Sequence, residues 1–217
     1  MLSKANRLFW LGRYNERVLT TLKYIVQLYD KSIDSEIDID GYCKKLNIPN
    51  IYPDKKTFFE KYLFDRNDEN SVISNADRML GNGMVLRETL TTETLSYLQM
   101  AVNALDAAAQ NNHPGMEAQW VVDDIMAFRG SFDDKVENKV ERNIIKCGIG
   151  VERAILYMQF NKPQKDIIYE TQKLLSRSFK TGLETNYDCR NILGNSITSG
   201  ICEMPVFIPA IEGLFVV

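Results

Sequence analysis

The sequence predicts an all-α fold, a helical bundle with two long motif-bearing helices related by an internal repeat. Three observations carry that expectation. Apolar residues recur at the helical period over long stretches, and no run alternates apolar with polar residues as half-buried strands do. A Gly-x-x-x-Glu-Arg pattern also occurs twice, each time inside a long amphipathic stretch.

The first element spans residues 3–29. Leu8, Leu11, Val18, Leu22, Ile25 and Tyr29 fall at spacings of three, four and seven, a stripe that faces other helices, and Ser3 is the expected N-cap. Residues 30–53 are less regular and are punctuated by Gly41, Pro49 and Pro53. A short helix is expected over 54–64. Asn70 or Ser71 caps the next, running to about Thr89, and Thr91 or Thr92 caps one that continues to the break at NNHPG. Further helices are expected over about 116–129, over about 132–160, and from Pro163 to about Glu184.

After Tyr187, Gly194, Gly200, Pro205, Pro209 and Gly213 interrupt every candidate element. Residues 188–217 therefore read as an irregular or partner-dependent tail. Residues 1–187 read as a single helical domain made of two weak repeats, about 1–110 and 115–187.

Composition narrows the function classes. Of 217 residues, 45% are hydrophobic and 25% charged, enough for a real core. The net charge is −3 with Lys and Arg scattered among acids, so neither nucleic acid nor a membrane surface is an expected partner. Cys43, Cys147, Cys189 and Cys202 form no C-x-x-C pair. With Lys4, Arg7 and Arg13 interrupting the N-terminal segment and no stretch fit to span a bilayer, they suggest free thiols in the cytoplasm.

Catalytic machinery is scarce. The chain has one histidine, His113, read as a loop or helix-end residue, and no nucleophile motif accompanies it. The paired Glu-x-x-His motifs of a di-metal bundle, zinc-type cysteine spacing and phosphate-binding glycine loops are all missing, so no metal and no cofactor is expected. Asp123 and Asp124 read as a solvated face.

The informative signal is the duplication. The first copy is LGRYNER, Leu11 to Arg17; the second is CGIGVER, Cys147 to Arg153. Residues four apart share a helix face, so Gly12 sits one turn before Glu16, and Gly148 one turn before Glu152. Glycine weakens a helix interior, and close approach of a second helix would explain it. The adjacent arginine points about 100° away around the helix. Each glutamate is therefore expected to reach across to the other copy, Glu16 to Arg153 and Glu152 to Arg17. Three readings stay open: interhelical ion pairs, a polar cavity that binds a ligand or peptide terminus, and acid–base catalysis by Glu16 and Glu152. Arg13, Arg17, Arg87 and Arg153 are candidate anion-binding groups, because guanidinium matches carboxylate and phosphate bidentately.

These residues resemble the alpha-E family, helical proteins named for a Glu-Arg motif and usually carrying it in tandem. The resemblance rests on the opening MLSKANRLFWLGRYNER, on the stretch holding Asn70, Ser71, Asn82, Arg87 and Asn103, and on FRGSFDDKVENKVERNIIKCGIGVER. It covers residues 1 to about 160. The second copy departs from the first, with Ile149 where the first has Arg13 and Lys146 where it has Trp10; Met84 stands where the family often has arginine. The resemblance implies association with a peptide synthesis or modification system whose other members resemble ATP-grasp ligases, transglutaminases and Ntn-type peptidases.

The expectation for function is thus a non-catalytic helical accessory or binding protein, with an ATP-grasp-like ligase, a transglutaminase-like protein or a peptide as partner. The alternatives are an enzyme acting on amide or peptide bonds and a purely structural scaffold, the latter as a homo-oligomer.

Overall fold

The structure is a computed structural model describing residues 3–111 and 114–217, with the side chains of 114–117 outside the description. His113 lies outside the described residues. Ten helices are formed among the described residues: α1 (Lys4–Asp34), α2 (Ile39–Leu46), α3 (Lys55–Phe64), α4 (Val72–Val85), α5 (Thr92–Gln110), α6 (Pro114–Lys135), α7 (Lys139–Gln159), α8 (Gln164–Ser178), α9 (Tyr187–Ser199) and α10 (Met204–Glu212). Two two-residue strands, β1 (Glu184–Thr185) and β2 (Phe215–Val216), pair antiparallel, with Glu184 opposite Val216 and Thr185 opposite Phe215. The all-α class holds.

Helix starts follow local capping chemistry. The Ser3 hydroxyl accepts from Asn6 N at 3.0 Å, Ser71 from Ser74 N at 3.1 Å and Thr91 from Thr94 N at 3.2 Å. The expected helix over 132–160 begins later than predicted. Phe132 lies in the last turn of α6, the chain turns at 136–138, and Asn138 caps α7 by accepting from Val140 N and Glu141 N. The guanidinium of Arg142 donates to the Val136 carbonyl and holds that turn.

The tail differs most from expectation. Asn186 caps α9 through Asp188 N and Cys189 N, and Gly200 ends it at φ 74°. Pro205 sits in the first turn of α10, where its missing N–H costs nothing. Phe207, Ala210, Ile211 and Leu214 are then buried at spacings of three, one and three, one face of a helix.

The chain divides into two compact units, Met1–Glu16 with Val136–Val217, and Arg17–Lys135. The division falls inside α1, between the glutamate and the arginine of the first motif.

In the first unit α7 is central and buries twelve of its residues. Helices α8 and α10 pack on it, and α9 packs on both α8 and α10. The N-terminal half of α1 meets α7 at the two motif glycines. In the second unit α5 and α6 form a tightly packed pair that buries Leu98, Leu105, Val121, Ile125 and Phe128. Tyr42, Tyr52, Phe58 and Tyr62 make an aromatic core, with Phe58 and Tyr62 stacked at 5.6 Å and the Tyr52 hydroxyl donating to Asp68.

Candidate functional site

The site is built where α1 and α7 touch. A Cβ added to Gly12 would fall on the Ile145 carbonyl oxygen and 3.0 Å from its carbon. One added to Gly148 would fall on the Phe9 carbonyl oxygen and 3.0 Å from its carbon. Each glycine thus meets the carbonyl three residues before the other glycine. The expected role of glycine, letting a second helix backbone approach, is met at both positions.

That closeness sets the reach of the charged side chains one turn on. Arg153 Nε donates to Glu16 Oε1 at 3.0 Å and its terminal nitrogen to Oε2 at 2.7 Å, a bidentate pair. The expected contact between Glu16 and Arg153 is formed. Glu152 too is held by a cation of the first copy. Arg13 Nε donates to its Oε2 at 2.7 Å, while Arg17 donates to Asn75 Oδ1 at 3.5 Å. Arg13, three residues before Glu16, shares the face that Glu16 presents.

Side chains beyond the motif complete the centre. Glu170 of α8 accepts from Arg153 at 3.2 Å through Oε2 and from Lys173 at 2.9 Å through Oε1. Glu212 of α10 approaches Arg13 at 4.0 Å, and the Arg13 guanidinium lies 4.7 Å from the Trp10 ring centroid. The order from Glu16 through Arg153 and Glu170 to Lys173 is a chain of alternating charge.

Burial makes these pairs consequential. The side chains of Glu16 and Glu152 are 3% and 2% exposed, Arg13 9% and Arg153 21%. Burial of Arg153 opposes its charge, and the hydrogen bonds and charges of Glu16 and Glu170 outweigh it, so its pKa is raised. Burial pushes the Cys147 thiol, one residue before Gly148, up to about 12.

Of the residues singled out from sequence, Gly12, Arg13, Glu16, Gly148, Glu152 and Arg153 come together in one unit. Arg17 belongs to the other unit, on α4 through Asn75. Arg87 is exposed in the turn after α4 and is not among the residues of the centre. Glu170 and Glu212 were missed, because the approach of α8 and α10 to the motif leaves no local trace. Trp10 had a signal, since three residues separate it from Arg13 and such residues share a helix face.

The second unit holds a mostly apolar cavity of about 680 Å³, lined by Leu22, Ile25, Tyr29, Phe59 and Leu105, with Lys55 bonded to the Ser32 carbonyl at 2.8 Å. Among the described residues, no group of three or more His, Cys, Asp or Glu side chains is arranged to hold a metal ion. No helix there is long and apolar enough to cross a membrane.

A family model described as Alpha-E, a predicted alpha-helical domain with a conserved ER motif, matches residues 1–175. No curated protein and no solved structure matches the chain. The chain belongs to the Alpha-E family, and the Glu-Arg pairs 16–17 and 152–153 lie within the matched span.

Proposed function

We propose that this Alpha-E chain is a non-catalytic helical accessory protein of a peptide synthesis or modification system, working in the cytoplasm. It binds an ATP-grasp-like ligase, a transglutaminase-like protein or their peptide substrate, and its paired Glu-Arg motifs clamp two helices into a fixed docking frame. The observation that supports this reading is the closure of both motif glutamates. A general acid or base must lie within hydrogen-bond reach of a substrate proton. Glu16 and Glu152 are instead spent on arginines at 2.7 Å, in a site almost without solvent. The four free thiols fit a reducing compartment. The family resemblance supplies the partner classes.

The test is co-expression of the chain with ATP-grasp-like and transglutaminase-like proteins, followed by affinity capture and by amide-bond assays of the chain alone. Capture of a partner by the native chain, with no turnover by the chain alone, is the expected result. Turnover by the purified chain that Glu16→Gln abolishes without changing the melting temperature would overturn the reading in favour of an acid–base enzyme.

A further inference from the structure

The outer face of α8 and the turn after it carry a run of cations. Ile167, Thr171, Leu174 and Ser178 point inward at spacings of four, three and four. That geometry turns Tyr169, Gln172, Lys173, Ser176, Arg177 and Lys180 outward. Between Glu170 and Glu184 the sequence contains Lys173, Arg177 and Lys180 and no acidic residue, in a chain where acids outnumber bases 29 to 26. Neither Arg177 nor Lys180 has an acidic partner among the described residues. Gln172, Lys173, Ser176, Arg177 and Lys180 line a shallow, open depression of about 310 Å³.

Aromatic rings flank it. Phe179 is 78% exposed with the Arg190 guanidinium 4.4 Å from its centroid, and Lys173 lies 5.0 Å from the Tyr169 centroid. Arg190 is fixed by hydrogen bonds to Ser178 Oγ at 2.8 Å and Thr185 Oγ1 at 3.0 Å. Lys173 is fixed by Glu170, which Arg153 of the motif holds in turn. Of these cations, Lys173 is tied to the network that closes the Glu-Arg centre.

We infer that this face docks an acidic polypeptide segment, with its carboxylates on Arg177 and Lys180 and an apolar side chain on Phe179. Arg and aromatic groups side by side are the chemistry of protein-binding hot spots, and charge complementarity selects acidic partners. A membrane surface is the weaker fit, because juxtamembrane recognition uses clusters of about 4–8 basic residues. The stripe carries three. The inference rests on the accessory reading only for the partner's being a polypeptide; the binding measured below depends on α8 and the turn that follows it.

The experiment titrates the full chain into a fluorescein-labelled glutamate peptide with one central phenylalanine, reading anisotropy at low salt. Controls are the same peptide with glutamine for glutamate, single-stranded oligothymidine, and phosphatidylserine vesicles. Arg177→Gln with Lys180→Gln, and separately Phe179→Ser, are expected to weaken peptide binding about tenfold each. Phe179 and Lys180 are exposed and Arg177 partly so, and thermal melts should stay close to those of the native chain. Undetectable peptide binding by the native chain overturns the inference, and so do equal binding of the glutamine peptide or unchanged affinity in both variants. Binding of oligothymidine or vesicles that is tighter than peptide binding and lost in the same variants overturns it too, in favour of a polyanion or lipid surface.

Discussion

Glu152 is held by Arg13 at 2.7 Å, and both side chains are more than nine-tenths buried. Glu16 is equally buried, yet its partner Arg153 keeps a fifth of its side chain in solvent and has Glu170 as a second carboxylate. The two pairs are therefore not equivalent, although each glutamate lies four residues after a glycine in helix contact.

That inequality ranks two substitutions. Removing one member of a buried pair strands the other, at a typical cost of about 3–5 kcal/mol. Glu152→Gln is expected near the top of that range and Glu16→Gln below it, because Arg153 retains the largely buried Glu170 at 3.2 Å, whereas the second carboxylate near Arg13, Glu212, is half exposed and stands at 4.0 Å. Against a domain stability of roughly 5–15 kcal/mol, either loss should show plainly in urea denaturation. A larger loss at Glu16 than at Glu152 would contradict the ranking.

The glycine contact makes a separate prediction. Alanine at position 12 or 148 places a methyl group on a backbone carbonyl, which cannot rotate aside as a side chain can. Overpacking of this kind typically costs about 1–3 kcal/mol, and the helix propensity that alanine gains returns roughly 1 kcal/mol at most. Net destabilisation is expected at both sites. At Gly81, where nothing lies within 4 Å, the same substitution should raise the melting temperature. Thermal melts of the three variants check the sign of each.

Why part of this centre was legible in the sequence follows from which information is local. Capping by Ser3, Ser71 and Thr91 is decided within three residues, so it could be read directly. The pairing of Glu16 with Arg153 followed from helical spacing applied to two similar copies. The engagement of Glu152 by Arg13 was foreshadowed by a difference that looked like mere divergence: the first copy has Arg13 where the second has Ile149. Only one copy can supply a cation at that position, so the network is asymmetric. Glu170 and Glu212 depend on how α8 and α10 dock, which no window of sequence encodes. The tail was misread for another reason. Phe207, Ala210 and Ile211 do follow a helical pattern, but Pro205, Pro209 and Gly213 were read as breaks, whereas a short helix accommodates Pro205 in its first turn and Gly213 at its C-cap and here also carries Pro209 in its interior.

The ordered tail gives a prediction about truncation. Leu193, Phe207, Ile211, Leu214 and Phe215 are buried, and the Phe215 ring lies 5.4 Å from Phe9 on α1. Each large side chain removed from a core typically costs about 2–5 kcal/mol. A chain ending at residue 187 should therefore lose cooperative unfolding in calorimetry. A native-like transition in that truncated chain would return the segment to the status of a dispensable tail.

Alkaline conditions should unfold the protein through its buried thiols. Burial holds Cys147 up to about 12 and Cys43 up to about 11, against an ordinary value of 9.0. Burial likewise raises the Tyr62 phenol to about 12 from 10.0. In each case the folded pKa lies above the unfolded one. The contribution to stability is then complete below the unfolded value and is lost as pH rises towards the folded value, because the unfolded chain releases its protons first. Stability should be level up to about pH 8.5 and fall above 9, with each buried thiol adding at most about 1.4 kcal/mol per pH unit. The check is urea denaturation at pH 8 and pH 10 under reducing conditions, for the native chain and for Cys147→Ala. That variant is less stable at pH 8, since it leaves space beside α7, but its loss between the two pH values should be smaller. An equal pH-dependent loss in both proteins would show that Cys147 does not carry the effect.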